Sequence, residues 1–327
     1  MRLIVGDIGG THARLALADT AGERVTLLRE RIYPSRDYAG LGPVLQDFLR
    51  RFGGDEIHRA CIGVAGPVRD NRSQATNLPW LLDGEALAGE AGLAAVTLLN
   101  DLEAAAWGLD DLDDSALVTL HGGDPEPRGN QAVIAAGTGL GEAGRVWCAD
   151  GYRIFASEGS HGDFAPANDL GFSLQQWLAA KYGGHVSWER VVSGPGLVDL
   201  HTFLRDAGGR PLPDWLQQAM EENDPAAAIA TAAQLEGDPV CVEALELFIR
   251  YFGAEAGNHA LKLMATGGVY LTGGIAPKIS ARFAAAGFLD AFWAKGRMRD
   301  LLERMPIHLV TDQNLALYGA ARCALRA

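Results

Sequence analysis

Leu3-Ile4-Val5-Gly6-Asp7-Ile8-Gly9-Gly10-Thr11, continued by Ala13-Arg14-Leu15-Ala16-Leu17-Ala18, is the stretch from which the fold is read. The apolar run Leu3 to Val5 has the length of a buried strand, Gly9-Gly10 is a turn, and Ala13 to Ala18 is a second strand. Asp19-Thr20-Ala21-Gly22 turns the chain again before a third run, Val25 to Ile32. Asp7 stands where a strand ends, a rigid place for a carboxylate that holds a metal ion or its water shell. Gly9 and Gly10 let backbone N–H groups approach a phosphate, and Thr11 adds a hydroxyl donor. The plain alternative is a β-hairpin with a Gly-Gly turn, and this stretch alone does not separate the two. It is not a Walker A loop, because Gly-Lys-Ser/Thr is missing, nor the Gly-x-Gly-x-x-Gly of dinucleotide folds.

Outward from this hairpin, Leu41, Val44, Leu45, Phe48, Leu49 and Phe52 fall on one face of a 3.6-residue period, with Gly53-Gly54 as the stop. Strands are expected near Ala60 to Ala65 and Val96 to Leu99, the second running into Asn100-Asp101 and a helix from Leu102. A second round opens with Ala132 to Ala136 and the turn Gly137-Thr138-Gly139-Leu140-Gly141, read as another phosphate-sized cradle. Helices dominate from about Leu170 to Leu263, and Val242 to Met264, apolar nearly all round, reads as a buried helix. Val269 to Thr272 is a strand that meets a third turn, Gly273-Gly274. Ile307 to Val310 is a further strand, Leu315 to Leu325 a closing helix, and Gly122 to Gly129 the clearest loop. One glycine turn is common in α/β proteins; three, each at a strand exit, are hard to explain by turns alone. Two successive sets of strands and helices imply two α/β lobes of related design.

The 327 residues exceed one ordinary core, and nearly half are apolar with 21% charged, as in a soluble globular protein. A formal charge of −13 argues against a surface that tracks nucleic-acid phosphates or anionic lipid. Cys61, Cys148, Cys241 and Cys323 are scattered without a Cys-x-x-Cys pair and read as small buried hydrophobes, not a zinc or redox site. No apolar stretch approaches the roughly 20 residues that span a bilayer. The run Leu3 to Val5 ends too soon for a signal peptide, so a reducing cytoplasm is expected.

These motifs together resemble the ATPase fold shared by actin, heat-shock chaperones and hexokinases, and within it the bacterial glucokinase family over nearly the full length. The match is carried by Gly6 to Ala18, Asn77-Leu78-Pro79-Trp80, Leu98 to Asp101, Ala136 to Gly141, Glu158 to Pro166, Glu189 to Gly196 and Leu271 to Pro277. The resemblance implies a two-lobed actin-like (ribonuclease H-like) α/β fold with mixed sheets flanked by helices and the active site in the cleft. Residues 1–108, completed by a C-terminal helix over 313–327, would form the small lobe and residues 109–312 the large one. It implies glucose and ATP as substrates, Mg²⁺ accompanying ATP, and a homodimer. Two residues depart from the family pattern: His12 replaces the usual Asn, and Ser160 replaces the second Gly of a Glu-Gly-Gly-His block.

Asp101 is the candidate catalytic base. It follows a strand and opens a helix whose N-terminus is expected to favour the carboxylate, and a carboxylate there can orient an attacking hydroxyl and take its proton. The alternative from the residues alone is that Asn100-Asp101 simply caps the helix. Glu158 and His161 supply the acceptors and the dual-role nitrogen that sugar hydroxyls need. The resemblance assigns Asn100, Asp101, Glu158, His161 and Glu189 to sugar binding and places Asn77 near the sugar. It assigns Asp7, Gly9, Gly10, Thr11, Gly137, Thr138, Gly139, Gly273 and Gly274 to ATP, with Asp7 organising Mg²⁺ through water. The competing readings are a kinase of another hexose and a non-catalytic sugar sensor of the same fold. Such regulators commonly place a DNA-binding helix-turn-helix before the first glycine turn, for which the six preceding residues leave no room.

Overall fold

The structure is a computed structural model that describes residues 1–21, 24–54, 56–74, 78–149 and 151–325. The opening hairpin is present as expected. β1 (Arg2–Ile8), β2 (His12–Asp19) and β3 (Thr26–Pro34) run antiparallel to their neighbours. After helix α1 (Leu41–Phe52), β4 (Arg59–Val64) returns parallel to β1. A small ribbon, β5 (Arg72–Gln74) and β6 (Leu81–Asp83), and helix α2 (Gly84–Ala91) lead to β7 (Ala95–Asn100), parallel to β4. The resulting sheet has the order β3-β2-β1-β4-β7. Helix α3 (Asp101–Gly108) starts directly from the end of β7.

The second sheet is built from β8 (Leu117–His121), β9 (Gln131–Ala136), β10 (Leu140–Cys148), β11 (Gly151–Ser157), β12 (Gly268–Thr272) and β13 (Ile307–Val310). Its order is β11-β10-β9-β12-β13-β8. Setting aside the edge strand β8, this repeats the first sheet: an antiparallel three-strand meander, then two strands parallel to its first member. The helical stretch between β11 and β12 includes α4 (Asp169–Tyr182), α5 (Gly194–Ala207), α6 (Asp214–Glu222) and the 25-residue α7 (Pro239–Leu263). Helix α8 (Leu315–Ala324) closes the fold.

Alternation along β1 explains the layers. Ile4 and Ile8 point to one face, where Val44, Leu45 and Phe48 of α1 cover them. Leu3 and Val5 point to the other, where they meet Leu317, Ala320 and Ala321 of α8. α7 buries Phe248 and Phe252 with Ile134 and Ala136 of β9. The two sheets are joined through α3: Leu102, Ala105 and Ala106 pack with Val133, Ala143, Val310 and Leu315. α3 and α8 approach so closely that a Cβ at Gly108 or Gly319 would run into the facing backbone, at Leu315 and Ala104 respectively. The helix that opens with Asp101 is therefore fixed from both sheets.

Cys61 and Cys241 are buried, in line with the sequence reading, while Cys148 and Cys323 are half-buried; all four are free. No helix among the described residues is long and apolar enough to cross a membrane.

Candidate active site

The parallel strands of the first sheet set two carboxylates side by side. Asp7 is in register with Gly63 of β4, and Gly63 with Leu99 of β7. Gly63 leaves room above that row: a Cβ there would lie 3.6 Å from the Asp101 Cα. Asn100 is the N-cap of α3. Its Oδ1 accepts from the N–H groups of Leu102 (2.9 Å) and Glu103 (3.1 Å), and its Nδ2 donates to the Gly66 carbonyl at 3.1 Å. Capping is thus real, but it falls to Asn100. One Nδ2 hydrogen remains for a ligand.

Asp101 is free of that duty except for one bond, from its own neighbour's N–H (Leu102, 2.9 Å). Burial, then the charge of Asp7, push its carboxyl up to about 7, with Glu158 adding to the rise. The N–H groups at the start of α3 pull it down, as expected of a helix N-terminus, but desolvation and like charge outweigh them. Burial also raises Asp7. Arg14, across the strand pair, offsets that only in part, being shared with Glu30 (3.3 Å), the Gln313 carbonyl (3.0 Å) and Asn314 (3.3 Å). Two half-buried carboxyls with no dedicated cation between them fit a divalent ion such as Mg²⁺ better than an empty pocket.

Glu158's influence on Asp101 ties this edge to the second sheet. Glu158 follows β11, and the short turn Gly159–His161 returns the chain. The His161 ring stands between two acids, Nε2 3.6 Å from Glu158 and Nδ1 3.9 Å from Glu189. The Glu189 N–H donates to the Ser160 carbonyl (3.0 Å) and the Trp188 N–H to that of Gly162 (3.1 Å), which pins the two loops together. Ser160, the departure from the family block, is buried beneath this contact. Glu189, unremarkable in the sequence, also accepts from the Leu140 N–H at 3.1 Å. A side chain at Gly139 would collide with its carboxylate.

The Gly137–Gly139 turn therefore sits against the polar cluster, and Gly273 against the turn. Gly273 has φ 88°, and a Cβ there would be 2.5 Å from the Ala136 carbonyl oxygen. Gly274 follows at the same strand exit. In the first turn the Gly9 N–H donates to the His12 carbonyl at 3.0 Å, leaving Gly10 and Thr11 at the tip. Exposed His12 begins β2. Gly141 is not part of a cradle: it lies inside β10, where a side chain would strike Leu102 of α3. Its glycine serves close packing between the sheets. Asn77 lies outside the described residues.

Asp7, Asp101, Glu158, His161, Glu189 and Gly139 thus form a continuous chain of neighbours from one sheet to the other. The family model for glucokinase matches residues 4–327. Glucokinases of Nostoc punctiforme and Chromobacterium violaceum are 41% and 39% identical to this chain; the matches cover 99% and 97% of it and 99% and 88% of their own lengths. The chain belongs to the glucokinase family. A glucokinase crystal structure from an Antarctic psychrotroph is 31% identical with a TM-score of 0.83, covering 100% of this chain and 99% of its own. A Balamuthia mandrillaris glucokinase in complex with glucose, at 24% identity and TM-score 0.81, shares the fold over 100% of this chain and 94% of its own. The two-lobed sugar-kinase architecture implied by the sequence is the one observed.

The glucokinase fold also carries groups outside the cleft. Among the described residues His201, Asp238 and Cys241 bring ligand atoms within 4.8 Å of one another. Asp238 there caps α7 by accepting from the Cys241 N–H at 2.9 Å. Sequence reading missed Glu142, Glu255 and His259, a buried polar group under the Glu158–His161 turn. Their separation in sequence, with apolar neighbours, left no local signal.

Proposed function

We propose that the protein transfers the terminal phosphoryl group of ATP to the 6-hydroxyl of glucose, with Asp101 as general base. The observation that carries this is the position of Asp101 at the start of α3, where burial, then the charge of Asp7 and lastly that of Glu158 raise its carboxyl to about 7. A base that ionises near the working pH combines a useful charged fraction with real proton affinity. Asp101 orients the attacking oxygen and takes its proton. Asn100 offers its remaining N–H, while Glu158, His161 and Glu189 pair with the other sugar hydroxyls; Asn77 is assigned to the same cleft on the family pattern. Gly10, Thr11, Thr138, Gly139, Gly273 and Gly274 supply backbone N–H groups and hydroxyls for the phosphates, while Gly9 and Gly137, whose N–H groups bond to the His12 and Gly139 carbonyls, shape the two turns. Asp7 would hold Mg²⁺, and the ion would supply charge neutralisation at the phosphates.

The lobes are residues 1–108 with the C-terminal segment 313–327, and residues 109–312; the packing of α8 against β1 supports this division, although the helix itself runs only from Leu315 to Ala324 and not over 313–327. Their closure excludes water and limits wasteful hydrolysis. A cytoplasmic homodimer is proposed on family grounds, and light scattering of the purified protein checks the dimer. A coupled ADP-release assay with glucose, mannose and an amino sugar tests the reading. Glucose gives the highest kcat/KM, and Asp101→Ala removes turnover with every sugar. Preference for another hexose overturns the substrate, and near-normal turnover by Asp101→Ala overturns the base.

A further inference from the structure

Beneath the turn that carries Glu158 and His161 lies a buried acid that phosphoryl transfer does not use. Glu142 is in β10, paired with Ile134 of β9 and Ser157 of β11. It is 1% exposed, and its carboxyl presses against the turn: a Cβ at Gly159 would run into Glu142 Oε2. From the opposite side α7 delivers Glu255 and His259, 0% and 1% exposed. His259 Nδ1 is 3.4 Å from Glu142 Oε2, and the Glu255 carboxyl lies within hydrogen-bonding reach.

The partners of each group sort out the protons. His259 Nε2 is 3.0 Å from the Ala143 carbonyl oxygen, which can only accept, so Nε2 carries the hydrogen and Nδ1 of the neutral ring is an acceptor. Glu255 accepts from Asn258 Nδ2 (2.7 Å) and Lys262 Nζ (3.4 Å). Glu142 meets no donor, and both its oxygens are buried without a hydrogen-bond partner among the described residues. A carboxylate there would face only acceptors; a carboxylic acid has a hydrogen to give to either. Burial and then Glu255 push Glu142 up to about 8, against the pull of Lys262, while burial holds His259 down to about 4. Lys295, the other cation facing Glu255, donates to the Ala254 carbonyl at 2.8 Å.

We infer that Glu142 is a positioning residue for the sugar-binding turn: its protonated carboxyl, wedged between Gly159 and the Glu255–His259 pair, sets where Glu158 and His161 meet the sugar, and loss of that proton releases the turn. An added negative charge beside Glu255 is relieved by moving toward solvent, and Gly159 is the cover on that side. The inference rests on the proposed sugar-binding role of Glu158 and His161.

Glucose affinity by calorimetry, with KM and kcat, is measured from neutral to mildly alkaline pH. In the wild type Kd and KM rise above about pH 8, approaching about tenfold per pH unit, while kcat at saturating sugar stays level. Glu142→Gln is neutral at every pH and abolishes the rise. Gly159→Ala raises KM at pH 7, and adding Glu142→Ala restores it by vacating the space, a rescue that a general loss of stability would not give. A wild-type rise that persists in Glu142→Gln, or no rise in the wild type, overturns the role. Should Glu142→Gln not fold, infrared spectra of the wild type read the protonated carboxyl directly. Its loss must track the loss of glucose affinity, and unchanged affinity as the band disappears overturns the inference. Glu158→Gln keeps the two readings apart. Normal glucose binding by that variant defeats the sugar-site assignment itself, whereas weakened binding beside an unchanged alkaline rise in Glu142→Gln defeats only the role of Glu142.

Discussion

The two sides of the cleft are built on different terms. On the first sheet, Asp7 ends a central strand and Asp101 opens a helix locked between α8 and the second sheet, so both carboxyls stand on rigid backbone and both are raised by burial. On the second sheet, Glu158 and His161 sit in a short turn with side chains 52% and 55% exposed, held by main-chain bonds between two loops. The rigid side suits a group whose proton affinity must be set by its surroundings. The exposed side suits groups that a sugar can engage and that can shift as the lobes close. On the proposed function, chemistry and recognition are thus divided between a stiff edge and a supported turn.

The largest expected effect sharpens that division. Asp101→Asn lowers kcat by about 10²–10⁴-fold with glucose affinity changed by only a few-fold. Glu158→Gln does the reverse, raising Kd and KM for glucose by about 10–100-fold, the scale of a lost hydrogen bond to a charged group, with a smaller change in kcat. Steady-state kinetics beside calorimetry read both, and similar kcat losses in the two variants would break the comparison.

Next in size is stability. The unfolded Asp101 carboxyl ionises near the ordinary 3.8, the folded one near 7. Because the folded value is the higher, stability is fullest below the ordinary value and falls as pH rises toward 7. The gap corresponds to about 4 kcal/mol at most. Asp101→Asn, with the Asn100 cap intact, therefore melts at a higher temperature than wild type at pH 8, and the advantage shrinks toward pH 4. An advantage independent of pH would contradict an origin in the Asp101 ionisation. The same ionisation shapes activity: kcat/KM falls as pH drops below about 7, approaching about tenfold per pH unit. The smallest effect is at Gly139, where alanine must displace the Glu189 carboxylate from the Leu140 N–H. Glucose KM should rise by about tenfold or less, the net worth of a typical hydrogen bond.

Much of the fold was legible in the sequence because its signals are local. Strand runs placed β4, β9 and β12 to within a residue and located β1, which runs three residues past Val5 to Ile8, and the apolar face of α1 appeared where its period placed it. Asp101 could be singled out because a strand exit followed by a helix start is a local event. Contacts between distant segments were not legible. Gly141 looked like one more phosphate-loop glycine until its facing partner, Leu102, was known. Glu189 looked like a surface acid because Leu140, whose N–H it binds, lies 49 positions away. The net rise of the Asp101 carboxyl was not legible for the same reason: the helix N-terminus is visible in sequence, whereas burial and the facing Asp7 are not. Glu142 and His259, 117 positions apart, carry no shared pattern at all.

The central claim is that burial beside Asp7 holds Asp101 ready as a base, and a carbon-13 carboxyl NMR titration of the unliganded protein tests it most directly. The expected result is a resonance, absent from Asp101→Asn, that titrates near pH 7 and moves to lower pH in Asp7→Asn. An Asp101 carboxyl that titrates near the ordinary 3.8, unmoved by Asp7→Asn, would contradict the claim.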